Sequence, residues 1–247
     1  MEGAQRLGDG ILDGITIVGL GLDAGYEQIA RLMDLCSQYG WCLTPDASLL
    51  VIFAAVKRVN PSSRPHHELY RVLRDHFMAE DWLELERLVF AMMATKPKRR
   101  KILSDCIVTL RMHRKRIDGR RFNAANLIVP TCVAVVEGML YDFARQLGIS
   151  GWSKSRFDRL REEILSVSFA FDKPAIDLIF DILFSPADAD KDVAESGLRF
   201  SRHKIMHGNW LEYGKIENVI RLFLLARFLI TSLRSTGKES RRELIYR

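Results

Sequence analysis

The chain has 247 residues, 48% of them hydrophobic, which is enough apolar material for a packed core and excludes a disordered or low-complexity protein. Its formal charge of +6 is modest but unevenly spread. From Lys96 to Arg121 there are eleven Lys or Arg against only Asp105 and Asp118, a local surplus larger than that of the whole chain, so a polyanion is drawn to one region.

Apolar runs at Asn126–Val136 and Val219–Leu233 are interrupted by Pro130 or by Arg221 and Arg227, and no membrane span is expected. The first residues lack a basic end leading into an apolar segment, so the expectation is a cytoplasmic protein without a secretory signal. Cys36, Cys42, Cys106 and Cys132 show no paired spacing of the zinc-site kind and are expected to be reduced core thiols.

Residues 1 to about 25 are glycine-rich around Ile15–Leu20. The glycines at 19, 21 and 25 miss the dinucleotide-loop spacing, and no βαβ unit follows. Helical apolar spacing then predicts a helix over Tyr26–Tyr39, ended by Gly40, and a second opened by Thr44-Pro45 and running towards Asn60. Asn60–Pro65 is a loop, and the adjacent His66 and His67 point about 100° apart on a helix, so they are expected at the surface rather than as a chelating pair. Leu69, Val72, Leu73, His76 and Phe77 form the next stripe. Trp82, Leu85, Leu88, Val89, Met92 and Met93 form another, with the two methionines as core filler.

Lys96–Lys101 is read as the boundary between an N-terminal helical region, 1–95, and a second helical region, 96–247. Beyond it Ile102, Leu103, Cys106, Ile107 and Leu110 make an apolar face. Lys98, Arg99, Arg100, Lys101, Arg111, Arg114, Lys115 and Arg116 offer phosphate contacts, with no aromatics among them for base stacking. Asp118–Arg121 breaks the pattern before a helix from about Asn123 to Leu147, where Pro130 removes one backbone bond and predicts a kink. On that helix Glu137 shares a stripe with Val133, Leu140, Ala144 and Leu147. A carboxylate there needs a partner, for which Arg202, His203 and Arg221 are the candidates.

Gly148–Gly151 is a loop, Ser153–Phe171 a helix, and Lys173-Pro174 opens a short helix with Ile176, Ile179, Phe180 and Leu183 on one side. Ser185–Asp192 is an acidic linker that lacks the glycine and glutamate of a calcium loop. The chain turns helical again at Val193 and enters Ser201–Gly208, which concentrates Arg202, His203, Lys204 and His207.

Three readings of that octapeptide compete. In the first, the arginine and histidines bind backbone or carboxylates. In the second, His203 and His207, four apart, chelate a metal, although no glutamate follows His203 and no third ligand is evident. In the third, histidine moves a proton near neutral pH while arginine holds phosphate oxygens, chemistry that cleaves a phosphodiester without a metal or other cofactor. Lys204 adds a further phosphate contact.

Arg202-His203-Lys204-Ile205-Met206-His207 resembles the arginine, polar residue, three variable residues, histidine motif of HEPN-domain proteins. Gly208 directly after the histidine, Tyr213, Asn218 and Arg221 at the start of an apolar terminal helix, and Glu137-Gly138 on an earlier one carry the same resemblance. So do Gly40–Pro45 and Arg99–Glu137, which are similar to HEPN proteins of the bacterial abortive-infection type. One departure is Ser201, where many relatives have asparagine.

The resemblance implies an all-α HEPN-like bundle with an additional N-terminal helical region, paired as a homodimer through the bundle. It implies a metal-independent endoribonuclease in which the ribose 2′-hydroxyl attacks phosphorus, leaving a 2′,3′-cyclic phosphate and a 5′-hydroxyl, in antiviral or abortive-infection defence or as a toxin. By position, Arg202 would hold phosphate, His207 would be the acid–base group and His203 the polar residue beside them, supported by Glu137, Tyr213, Asn218 and Arg221. The partner is RNA, with room for a regulatory protein or nucleic acid. The alternative is a non-catalytic RNA- or nucleotide-binding helical module acting through a protein partner. Glu217 and Arg221 are four apart in the favourable order and are expected to pair.

Overall fold

The computed structural model describes residues 36, 41–42, 65–92, 97–149, 154–167, 176, 179–180, 205–207 and 213–245, with backbone alone at 65–67, 154–157, 167 and 231–245. Helices make up 79% of the described residues, so the fold is all-α. The expected helices over Tyr26–Tyr39 and from Thr44-Pro45, the Ser185–Asp192 linker, and Met93 and Leu183 lie outside the described residues, apart from a helical Cys36.

Helix α1, Pro65–Met78, opens with a proline whose missing N–H is no loss in a first turn. It buries Leu69, Val72, Leu73 and Phe77, the stripe expected from helical periodicity, with His76 half-buried. The chain then reverses through Glu80, Asp81 and Trp82, all left-handed at φ 49°, 56° and 71°. That conformation costs a side-chain-bearing residue roughly 1–2 kcal/mol, and two contacts hold it. Trp82 is buried, and Arg111 ties Asp81 (3.1 Å) to Glu86 (2.8 Å). Helix α2, Leu83–Ala91, then buries Leu85, Leu88 and Val89, with Met92 filling the core behind it.

Helix α3, Pro97–Leu110, exposes Lys98 and Lys101 and buries Leu103, Cys106, Ile107 and Leu110. A short antiparallel hairpin follows, β1 (Arg116–Ile117) and β2 (Arg120–Arg121), with Arg116 opposite Arg121 and Ile117 opposite Arg120. Asp118 and Gly119 both take positive φ, 50° and 76°, the backbone that a two-residue hairpin turn requires. Phe122 donates to the Lys115 carbonyl (2.9 Å) and accepts from the Arg114 N–H (2.8 Å). Two residues thus face one across the ladder, a bulge with Arg114 left-handed at φ 64°.

Helix α4, Ala125–Gln146, starts where the Asn123 side chain accepts the Ala125 N–H (3.2 Å). Pro130 lies inside it, and the residue whose carbonyl it leaves without a donor, Asn126, is exposed. The helix ends at a left-handed Gly148. There Gly148 N–H bonds Arg145 (3.1 Å), Ile149 N–H bonds Ala144 (2.8 Å), and Ile149 is buried. Helix α5, Lys154–Val167, buries Leu160 and Ile164 and exposes Asp158, Arg159 and Glu162.

Helix α6, Ile216–Ile245, is the pivot. From Val219 to Ile230 every residue except Arg227 is buried, and this stretch packs most extensively on α4 and also against α1, α2 and α5. A helix apolar all round must be enclosed. Arg227 reaches out of it to donate to the Ala91 carbonyl (2.9 Å) at the C-terminal end of α2, where a cation complements the helix dipole. One cluster of buried apolar residues runs from Cys36 through α1–α5 to α6. Helix α4 has the length and apolarity of a membrane span, but much of it is buried inside this core, which accounts for its composition.

Candidate functional site

The motif octapeptide is described over three residues. Ile205 and Met206 are helical and His207 is in the turn that follows. Ile205 is buried while Met206 and His207 are exposed, so one apolar anchor seats the segment and carries the histidine to the surface. Arg202, His203 and Lys204 lie outside the described residues, as do the side chains of His66 and His67.

Tyr213 and Gly214, just before α6, are held by three amides. Asn218, buried in the first turn of α6, donates to the Tyr213 carbonyl (2.9 Å). Asn123 donates to the Gly214 carbonyl (2.8 Å). Asn126 lies so close to Gly214 that a Cβ there would overlap its Oδ1, hence glycine. Asn218 therefore holds Tyr213 to the first turn of α6, and Asn123 and Asn126 hold Gly214 against the start of α4. Asn123 and Asn126 were missed by sequence reasoning, since no pattern links them to a loop about ninety residues later in the chain.

Arg221 is 8% exposed and pairs with Glu217 at 2.6 Å, the i,i+4 pair that spacing anticipates. Its guanidinium also lies 4.4 Å from the centre of the Trp41 ring, and Trp41 stacks with Tyr70. Burial lowers its pKa to about 10, against the pull of Glu217, so it stays protonated at neutral pH. This arginine stitches the N-terminal segment to α6 from inside the fold. Glu137 lies half-buried between the buried Val133 and Leu140, less enclosed than a full core stripe. Beside it, Gly138 leaves room for Arg99, whose Nη2 would be 2.9 Å from any Cβ there; Arg99 reaches past to Asp142 at 2.6 Å.

The basic run divides in two. Arg99 is held by Asp142, Lys101 by Asp105 (2.8 Å), and Arg111 by Asp81 and Glu86. Arg100 is half-buried and Lys98 exposed. At the hairpin, Lys115 and Arg116, together with Arg120 and Arg121, are exposed and make no ion pair with any described residue; Arg114 is exposed beside them. A cavity of about 390 Å³ opens next to these strands, lined by Ile117, Arg120, Arg121, Phe122, Asn123, Asn126 and Leu127. The hairpin is the main feature that the helical reading passed over, and its signal was the Asp118-Gly119 pair.

All four cysteines are free and buried. Burial pushes the Cys36 thiol far up, and the neighbouring Cys106 thiol together with burial pushes Cys132 up as well. Among the described residues no group of three or more His, Cys, Asp or Glu is arranged to hold a metal ion. Burial also lowers the pKa of His76 and His113, neither of which adjoins the motif in sequence. No protein-family model, curated protein or solved structure matches the chain, so the chemistry of these residues must speak for their role.

Proposed function

We propose that the chain is a metal-independent endoribonuclease of the HEPN type, acting as a homodimer in RNA restriction, abortive infection or as a toxin. The observation that carries the reading is the Arg202-x4-His207 motif, whose histidine stands exposed two residues after the buried Ile205. The all-helical bundle and the braced segment from Tyr213 to Asn218 support it.

In this chemistry the 2′-oxygen of ribose attacks phosphorus and the bond from phosphorus to the 5′-oxygen breaks. Charge builds on the phosphate oxygens, and Arg202 neutralises it with a planar fork of donors. His207 moves the proton that leaves the 2′-hydroxyl or the one that reaches the departing 5′-oxygen, and His203 is the polar group beside them. Two motifs, one from each protomer, complete the site.

The test is incubation of the purified protein with RNA in excess chelator, beside Arg202→Ala and His207→Ala. Cleavage that persists in chelator, leaves cyclic phosphate ends and drops at least about a hundredfold in both variants is expected. Cleavage that requires added metal, or that survives both substitutions, refutes the mechanism. Binding of RNA without cleavage by the dimer favours the non-catalytic helical module instead.

A further inference from the structure

We infer that the arginine hairpin spanning Arg116 to Arg121 is the surface that grips single-stranded RNA, and that the cavity beside it receives an unstacked base. This rests on the proposal that RNA is the substrate, and it names the element that holds it.

Three observations converge on the hairpin. The first is charge. Arg114, Lys115, Arg116, Arg120 and Arg121 are all exposed within eight residues, with Asp118 as the one acid among them. Elsewhere in the basic run, Arg99, Lys101 and Arg111 are satisfied by carboxylates of the fold. The positive potential left over for a partner is therefore concentrated at the hairpin.

The second is register. Arg116 stands directly opposite Arg121. Cross-strand neighbours have Cβ atoms only about 5 Å apart, and like charges in that position destabilise a hairpin. A two-residue strand has little ladder energy to offset the repulsion. A phosphate backbone passing over both guanidiniums turns it into attraction, since each offers paired donors to phosphate oxygens.

The third is shape. A shallow, open recess of about 390 Å³ joins Arg120 and Arg121 to the apolar side chains of Ile117, Phe122 and Leu127. Leu127 is 59% exposed on the outer face of α4, so its side chain is within reach of a base that enters the recess. Guanidinium planes beside an apolar recess suit a splayed base, which a single strand offers and a duplex keeps stacked inside. An anionic bilayer would meet the arginines but has nothing of that shape for the recess.

The experiment uses the full chain carrying His207→Ala, so that binding is read apart from cleavage. The anisotropy of a fluorescein-labelled oligouridylate is followed in chelator across a salt series. Arg116→Glu/Arg121→Glu should weaken binding about tenfold or more and flatten the logarithmic salt slope by about 0.7 for each phosphate no longer engaged. Leu127→Ala should weaken the single strand several-fold and leave a duplex of the same length unaffected. Single Arg116→Glu should raise Tm slightly while lowering affinity, which excludes misfolding as the cause.

Unchanged affinity and salt slope in the double variant overturn the inference, even if the wild-type chain cuts RNA. So does hairpin-dependent binding to phosphatidylserine vesicles without binding to RNA. Hairpin-dependent RNA binding in a chain whose wild type never cleaves upholds it and refutes only the nuclease reading.

Discussion

Arg221 and Arg116 are the same residue type in opposite circumstances. Arg221 sits on α6 with its charge matched by Glu217 at 2.6 Å and by the face of Trp41, at 8% exposure. Arg116 is exposed on a two-residue strand with another arginine opposite. A cation taken into a core has to be neutralised by the fold itself, because desolvation would otherwise outweigh anything it contributes. A cation left in water carries no such demand and remains available to a ligand. Arg221 is thus neutralised within the fold, whereas the hairpin arginines face water.

The comparison can be broken from the interior outwards. Phe223 is fully buried on α6, and Phe223→Ala should cost about 3–5 kcal/mol through reduced burial and an unfilled cavity, seen as a lower urea midpoint. Glu217→Ala strands the Arg221 charge in the core and should cost about 3 kcal/mol in the same assay. A double variant with Arg221→Met should recover much of that loss, and no recovery would mean that the arginine is needed for more than its charge.

A smaller effect is expected from pH. Burial, opposed by Glu84, lowers the pKa of His76 below 6.5, and burial together with Arg114 does the same for His113. Unfolded chains therefore take up protons that the folded chain refuses. Stability present above pH 6.5 should fall as pH drops through that value, levelling off below the lowered folded pKa values. His76→Gln should shallow the decline in a pH series of urea midpoints; a decline identical to wild type would remove His76 from the explanation. Smallest of all, Arg116→Thr should stabilise by a few tenths of a kcal/mol by ending the cross-strand repulsion, a shift readable as Tm.

Much of the fold was legible because local periodicity is a direct record of which side of a helix meets the core. Leu69, Val72, Leu73 and Phe77 repeat at helical spacing, and all four are buried. The Glu217–Arg221 pair follows from the rise of a single helix, and the burial of Val219–Ile230 from that stretch being apolar on nearly every side. Of the candidate site, the sequence supplied the residue types and their spacing. It did not show which basic residues meet carboxylates of the fold, because Arg99 meets Asp142 across 43 positions and Arg111 turns back to Asp81 and Glu86. Charge counted along a chain does not distinguish a cation that faces a carboxylate on the next helix from one that faces water.

By itself, then, the amino-acid sequence determined the helical class, the buried faces of the described helices, the reactive composition of the motif and the local pair on α6. Tertiary structure alone decided that Asn123, Asn126 and Asn218 would clamp Tyr213 and Gly214, that Trp41 would cover Arg221, and that the exposed arginines would gather on a hairpin beside a cavity. The reason is range. Backbone preference and periodicity act over a few residues, whereas the partner of a charge or an amide is set by which distant helix packs against it.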